Sequence, residues 1–243
     1  GIACEVEHQG KLHPLTERKI RRGTSNFTKE AAMTRQEVLT AVLTGIDAVR
    51  VLKDREYRLF TVGEMGIGNT TTSSAVASVL LRKEPELVTG CGAGLDLAGL
   101  KRKTKAIRRG IGLHHPDPMD GMDVLQKVGG FDLAAMAGAF LGGAIYHVPV
   151  VIDGVIAAAA AAAAGRIAPA AKDYMLAAHV SAEPASIWLL DLIGVTPAIQ
   201  AGLRLGEGTG ALALFPLLDM ALSIYRDMDT FAEMEIEEYK PLV

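Results

Sequence analysis

Four short β-rich runs, residues 58–63, 87–89, 148–152 and 174–178, recur between much longer stretches of helical composition. That alternation constrains the fold most, because strands and helices in succession close most readily into a parallel sheet covered by helices, an α/β architecture. The helical stretches are residues 34–52 with Thr34 as cap, 70–81, 96–109, 124–145 broken near Gly129-Gly130, 184–193 and 206–225. Residues 10–28 lack periodicity and read as extended or looped. Hydrophobic residues make up 49% of the chain but aromatics only 5%, so the core must be built from closely packed Ala, Val, Leu, Ile and Met. The Ala-rich stretch 157–164 then reads as a helix lying tightly on the sheet.

Several function classes are excluded early. A formal net charge of −3 and the lack of a basic stripe leave no footprint for nucleic acid. In the most basic stretch, Lys101, Arg102, Lys105, Arg108 and Arg109 read as the solvated face of a helix, with Lys103 the exception. Cys4 and Cys91 stand far apart with no partner at metal-ligand spacing, which argues against a disulfide framework and a zinc site and for a reducing compartment. The apolar run 148–164 is interrupted by Pro149, Asp153 and Gly154, so it reads as a buried strand and a buried helix, not a membrane span. The chain opens at Gly1 without Met or a leader, and is expected to be the interior of a longer reading frame.

Chemistry concentrates in glycine-rich turns placed just past strand candidates, where open α/β sheets hold their ligands. Gly66, Ile67, Gly68, Asn69, Thr70 and Thr71 combine exposed backbone N–H groups with hydroxyls at a helix start. A phosphate could be held there, although a bare tight turn has the same composition. The segment nearly matches a phosphate loop, but Asn69 stands where the lysine belongs, so a monophosphate is a better guess than a triphosphate. Farther on, Arg204-Leu205-Gly206-Glu207-Gly208-Thr209-Gly210 places one carboxylate among glycines. Glu207 reads either as a partly desolvated general base or as a carboxylate serving a helix dipole.

These tracts carry a resemblance. The run from Gly63 to Thr72, Gly92-Ala93-Gly94-Leu95-Asp96, Gly129-Gly130-Phe131 with Ala135-Met136-Ala137-Gly138, and the glycine tract around Glu207 are similar to the nicotinate-nucleotide–dimethylbenzimidazole phosphoribosyltransferase family. Arg22-Gly23-Thr24, Ala32-Met33-Thr34, Asp153-Gly154 and Ser181-Ala182-Glu183-Pro184 resemble it as well. The resemblance implies a Rossmann-like parallel sheet flanked by helices with a smaller helical portion. Residues 1–55 and 226–243 would belong to or pack on that portion, and residues 56–225 would form the nucleotide-binding catalytic domain.

It also implies a cytoplasmic homodimer, without cofactor or metal, that transfers ribose 5-phosphate from nicotinate mononucleotide to an aromatic base. Glu207 would be the catalytic base. The backbone of Gly66, Ile67, Gly68, Asn69 and Thr70 would hold the 5′-phosphate, with Lys103 adding charge and Ser181 a hydroxyl. Glu64 would contact the ribose, Gly92 and Gly94 would line the nucleotide pocket, and Leu205 and Gly206 would form a wall near the bases. Much of the family's aromatic-base pocket lies on an N-terminal helical segment that is expected to precede residue 1. A non-catalytic nucleotide-binding module and a P-loop-like phosphotransferase are the competing readings.

Overall fold

The computed structural model of the chain describes residues 5–8, 11–14, 18–92 and 94–237; Cys4 and Ala93 lie outside them. Strands β1 (Glu5–His8) and β2 (Lys11–Pro14) pair antiparallel. Helix α1 (Arg35–Asp54) then starts at the cap expected from the sequence. Thr34 Oγ1 accepts from the Glu37 N–H at 3.2 Å, and Glu37 Oε2 accepts from the Thr34 N–H at 2.7 Å, so two donors at the helix start are satisfied reciprocally.

The chain continues through β3 (Phe60–Val62), α2 (Thr70–Leu81), α3 (Pro85–Val88), α4 (Leu97–His114), α5 (Gly121–Val128) and α6 (Phe131–Tyr146). It ends with β4 (Val150–Ile152), α7 (Val155–Ile167), a 3₁₀ turn (Pro169–Tyr174), β5 (Met175–Ala177), α8 (Ser186–Ile193) and α9 (Thr209–Asp227). Strands β3, β4 and β5 form a parallel sheet in that order, with Phe60 opposite Val150 and Val150 opposite Met175. The α/β class and the parallel sheet are as expected. Val150, Val151 and Ile152 are buried, as a parallel strand between helical layers must be.

One expected strand is absent. Residues 87–89 do not join the sheet, because Pro85 occupies the first turn of α3 and its fixed φ starts a helical turn. A short apolar run cannot be told from a buried helical turn by composition alone.

Packing is close throughout. All eight alanines of residues 157–164 are buried, so α7 is enclosed on every side. Helix α1 lies on α6 at backbone distance: a Cβ on Gly45 would strike the Ala135 carbonyl, and one on Gly138 the Val42 carbonyl. On α4, Lys101, Arg102, Lys105, Arg108 and Arg109 face solvent, with Arg108 bridging Glu84 and Glu86, whereas Lys103 turns inward and is buried. Among the described residues no helix is long and apolar enough to cross a membrane.

Candidate active site

The loops that leave β3, β4 and β5 gather at the C-terminal edge of the sheet and enclose a cleft. The first of them turns through Gly66 (φ +81°) and Gly68 (φ +85°), a left-handed region open to glycine at little cost. Glu64 folds back over this loop and its Oε2 accepts from the Gly66 N–H at 2.6 Å. Asn69 gives α2 no side-chain cap; its Nδ2 donates instead to Asp132 Oδ2 at 2.6 Å. The amide that stands in the lysine position of a phosphate loop is thereby tied away from the cleft.

Positive charge comes from α4 instead. Lys103 Nζ donates to Thr70 Oγ1 and to the Gly90 carbonyl, both at 3.0 Å, just behind the start of α2. Burial pushes its pKa below the ordinary lysine value, while the nearby Glu183 and Cys91 oppose that shift. A buried ammonium beside a helix N-terminus and a glycine turn is an arrangement that can attract an anion. Gly92 packs against Thr70 with no room for a side chain, and buried Ser181 lines the same wall.

Arg204, Leu205 and Gly206 also line the cleft, and Gly206 begins the tract 206–210. Glu207 has φ +60°, an uncommon conformation for a residue with a side chain, between Gly206 at +78° and Gly208 at +82°. Its N–H donates to the Glu64 carbonyl at 2.9 Å. A Cβ on Gly63 would strike the Gly208 backbone, so the two glycine turns touch back to back. Beneath them Asp153 accepts from the Gly208 N–H at 3.1 Å and the Ala211 N–H at 2.9 Å. His179 Nε2 stands 3.6 Å from Asp153 Oδ1, and both side chains are buried. Burial alone would raise the Asp153 carboxyl, but bonds from His179, Ala211 and Gly208 outweigh it and hold the pKa below the ordinary value. Asp153 in turn holds the His179 imidazole above its ordinary value against the effect of burial.

Of the residues expected from the sequence, Glu64, Gly66, Thr70, Gly92, Ser181, Leu205 and Gly206 line this cleft, and Lys103 stands directly behind Thr70. Ile67, Gly68 and Asn69 face a second concavity on the other side of the same loop, beside Phe131 and Asp132. Gly94 is exposed away from both. Glu207 lines neither concavity and is exposed, so the partial desolvation weighed from the sequence is not seen: the glycines on either side carry no side chains to cover it. Asp153, His179, Glu183 and Arg204 line the cleft but were not anticipated as site residues. Among the described residues no cluster of His, Cys, Asp and Glu could hold a metal.

Comparison with known proteins identifies the family. A family model described as phosphoribosyltransferase matches residues 1–236. The nicotinate-nucleotide–dimethylbenzimidazole phosphoribosyltransferase of Clostridium acetobutylicum is 47% identical over 242 residues, which are 100% of this chain and 68% of that protein. The enzyme of the same name from Ruminiclostridium cellulolyticum is 48% identical over the same share of both chains. The crystal structure of CobT from Thermus thermophilus superposes with a TM-score of 0.87 at 38% identity, over 96% of this chain and 70% of that one. A match over residues 1–236, with relatives 47–48% identical over the whole of this chain, shows that the chain belongs to the phosphoribosyltransferase family.

Proposed function

We propose that the protein transfers ribose 5-phosphate from nicotinate mononucleotide to 5,6-dimethylbenzimidazole or a related base, releasing nicotinate and giving an α-riboside phosphate. The observation that carries this reading is one cleft lined by Thr70, Gly92 and Ser181, with the buried Lys103 ammonium donating to Thr70 from behind, and bounded elsewhere by Leu205 and Gly206, which lead directly into Glu207. The mononucleotide's phosphate would sit at the start of α2, against Thr70 with Lys103 behind it and Ser181 at the side. Glu64, which now occupies the Gly66 N–H, would swing to the ribose as the phosphate arrives.

The chemistry then needs a nucleophile more than an activated leaving group. The nicotinate ring is bound to the ribose as a cationic pyridinium: the C1′–N bond breaks, its electron pair goes to the ring nitrogen, and the ring departs with that nitrogen neutral. One benzimidazole nitrogen attacks C1′ from the opposite face, which turns a β-nucleotide into an α-riboside. The other nitrogen gives its proton to Glu207, the general base. Leu205 and Met65, both largely exposed, offer apolar surface beside Glu207 for a flat base. The same reading has the protein working in the cytoplasm as a homodimer, with no nucleic acid or membrane partner. Exposed Leu212, Met220 and Ile224 on α9 give a second copy an apolar face to cover.

Incubation with nicotinate mononucleotide and a panel of benzimidazoles, adenine and phenols, followed by mass analysis, tests the assignment. An α-riboside phosphate that forms with release of nicotinate is the expected product. Hydrolysis to free ribose 5-phosphate with every base would overturn it.

A further inference from the structure

Glu207 occupies an unfavourable backbone conformation on an exposed turn, and something must hold it there. Its own helix does not: the residue at the N-cap of α9 is Gly208, which has no side chain with which to cap it. The missing acceptor comes from another part of the fold. Asp153 follows β4 directly, and its two carboxylate oxygens take the N–H groups of Gly208 and Ala211, one immediately after Glu207 and one four residues on. A carboxylate at this place also meets the positive end of the α9 dipole.

The arrangement excludes variation around it. A Cβ on Gly210 would run into the His179 ring and within 2.9 Å of Asp153 Oδ1. His179, just past β5, stands beside Asp153 and against Gly210, with 3% of its side chain exposed. The sheet thus anchors the turn through one residue from each of two neighbouring strands. Glu64 completes the frame from the third strand's loop, through its carbonyl to the Glu207 N–H.

We infer that Asp153, backed by His179, is a positioning residue for Glu207: it caps α9 from the sheet and so fixes where the catalytic carboxylate points. The inference rests on the reading of Glu207 as the base. Asp153 itself takes no proton and touches no reacting atom; both of its oxygens are occupied by the turn.

Asp153→Asn keeps the shape but offers one acceptor oxygen where there were two, and sets an NH₂ against one of the amides. Its kcat should fall about 10- to 100-fold, the scale of a misplaced catalytic group, while the KM for nicotinate mononucleotide stays within about threefold. In a Glu207→Gln background the same substitution should cost less than about threefold, because residues that act through one another are not additive. An equal loss in both backgrounds, or a matching rise in nucleotide KM, would show a structural or binding role and overturn the inference. If Asp153→Asn fails to fold by circular dichroism, His179→Leu against His179→Gln decides. The glutamine keeps a donor toward Asp153 and should recover most of the rate lost in the leucine variant; equal rates in the two would overturn the inference. Failure of the underlying reading is separately visible, since Glu207→Gln alone would then leave turnover intact.

Discussion

The two glycine-rich turns that meet at Gly63 and Gly208 open helices in opposite circumstances. Helix α2 is buried continuously from Ser73 to Leu80, so its axis is fixed by the core. Helix α9 buries only Gly210, Ala211 and Leu214 and leaves Leu212, Met220, Ile224 and Tyr225 exposed. The first turn carries no side-chain cap, and the second is capped by a residue from β4. The difference has a physical reason. A helix held by its own packing can leave its terminal N–H groups to a ligand, whereas a weakly packed helix must have its terminus held by the protein if a catalytic group rides on it.

Substitutions on each side probe that division. The largest effect is expected from Glu207→Gln, which should lower turnover by a factor on the order of 10²–10⁴ and leave nicotinate mononucleotide affinity unchanged. Single-turnover rates and calorimetric titration measure the two separately, and a shared loss would mean that the α9 turn also binds the nucleotide. On the α2 side, Lys103→Ala should weaken nicotinate mononucleotide by about 1.5–3 kcal/mol, the worth of a charged hydrogen bond, with no change for free benzimidazole. Comparable weakening of both ligands would remove the phosphate role from α4.

Gly210→Ala tests the cap sterically. The added methyl meets the His179 ring, and overpacking of this kind costs about 1–3 kcal/mol in urea unfolding. Unchanged stability would mean that the pair beneath α9 can move aside. The smallest effect expected is a pH dependence of melting. Asp153, depressed in the fold, contributes stability above its unfolded value of about 3.9 and loses it as pH falls through the folded value. His179, raised in the fold, contributes fully below its unfolded value of about 6.5 and loses that contribution as pH rises through the folded value. The pair therefore supports the fold most between about pH 4 and 6.5, and Asp153→Asn should flatten the decline above that window. A parallel decline in the variant would assign it to other groups.

The sequence made the α2 side legible and left the α9 side half read. Gly66, Gly68 and Thr70 sit in an unbroken stretch whose glycine and hydroxyl content foretold a tight turn opening a helix, and Lys103 stood apart from its basic neighbours through family likeness alone. Asp153 and His179 are 26 positions apart and become neighbours because β4 pairs with β5. Each comes within two residues after its strand, so a search for polar residues just beyond strand ends would have found both. The exposure of Glu207 was not readable either, since glycine next to an acid says how closely backbone can approach and nothing about what covers the side chain. The expected strand at 87–89 failed for a related reason: Pro85 decided the local backbone before the apolar residues could.

Because Gly63 packs directly on Gly208, and the Glu64 carbonyl receives the Glu207 amide, neither turn has a conformation of its own to donate. An engineer who transplanted the α2 loop into another scaffold would carry over its shape only if the far turn travelled with it. The useful module is the interlocked pair together with the two strand-end residues beneath it, and it should be moved, recombined or redesigned as a single unit.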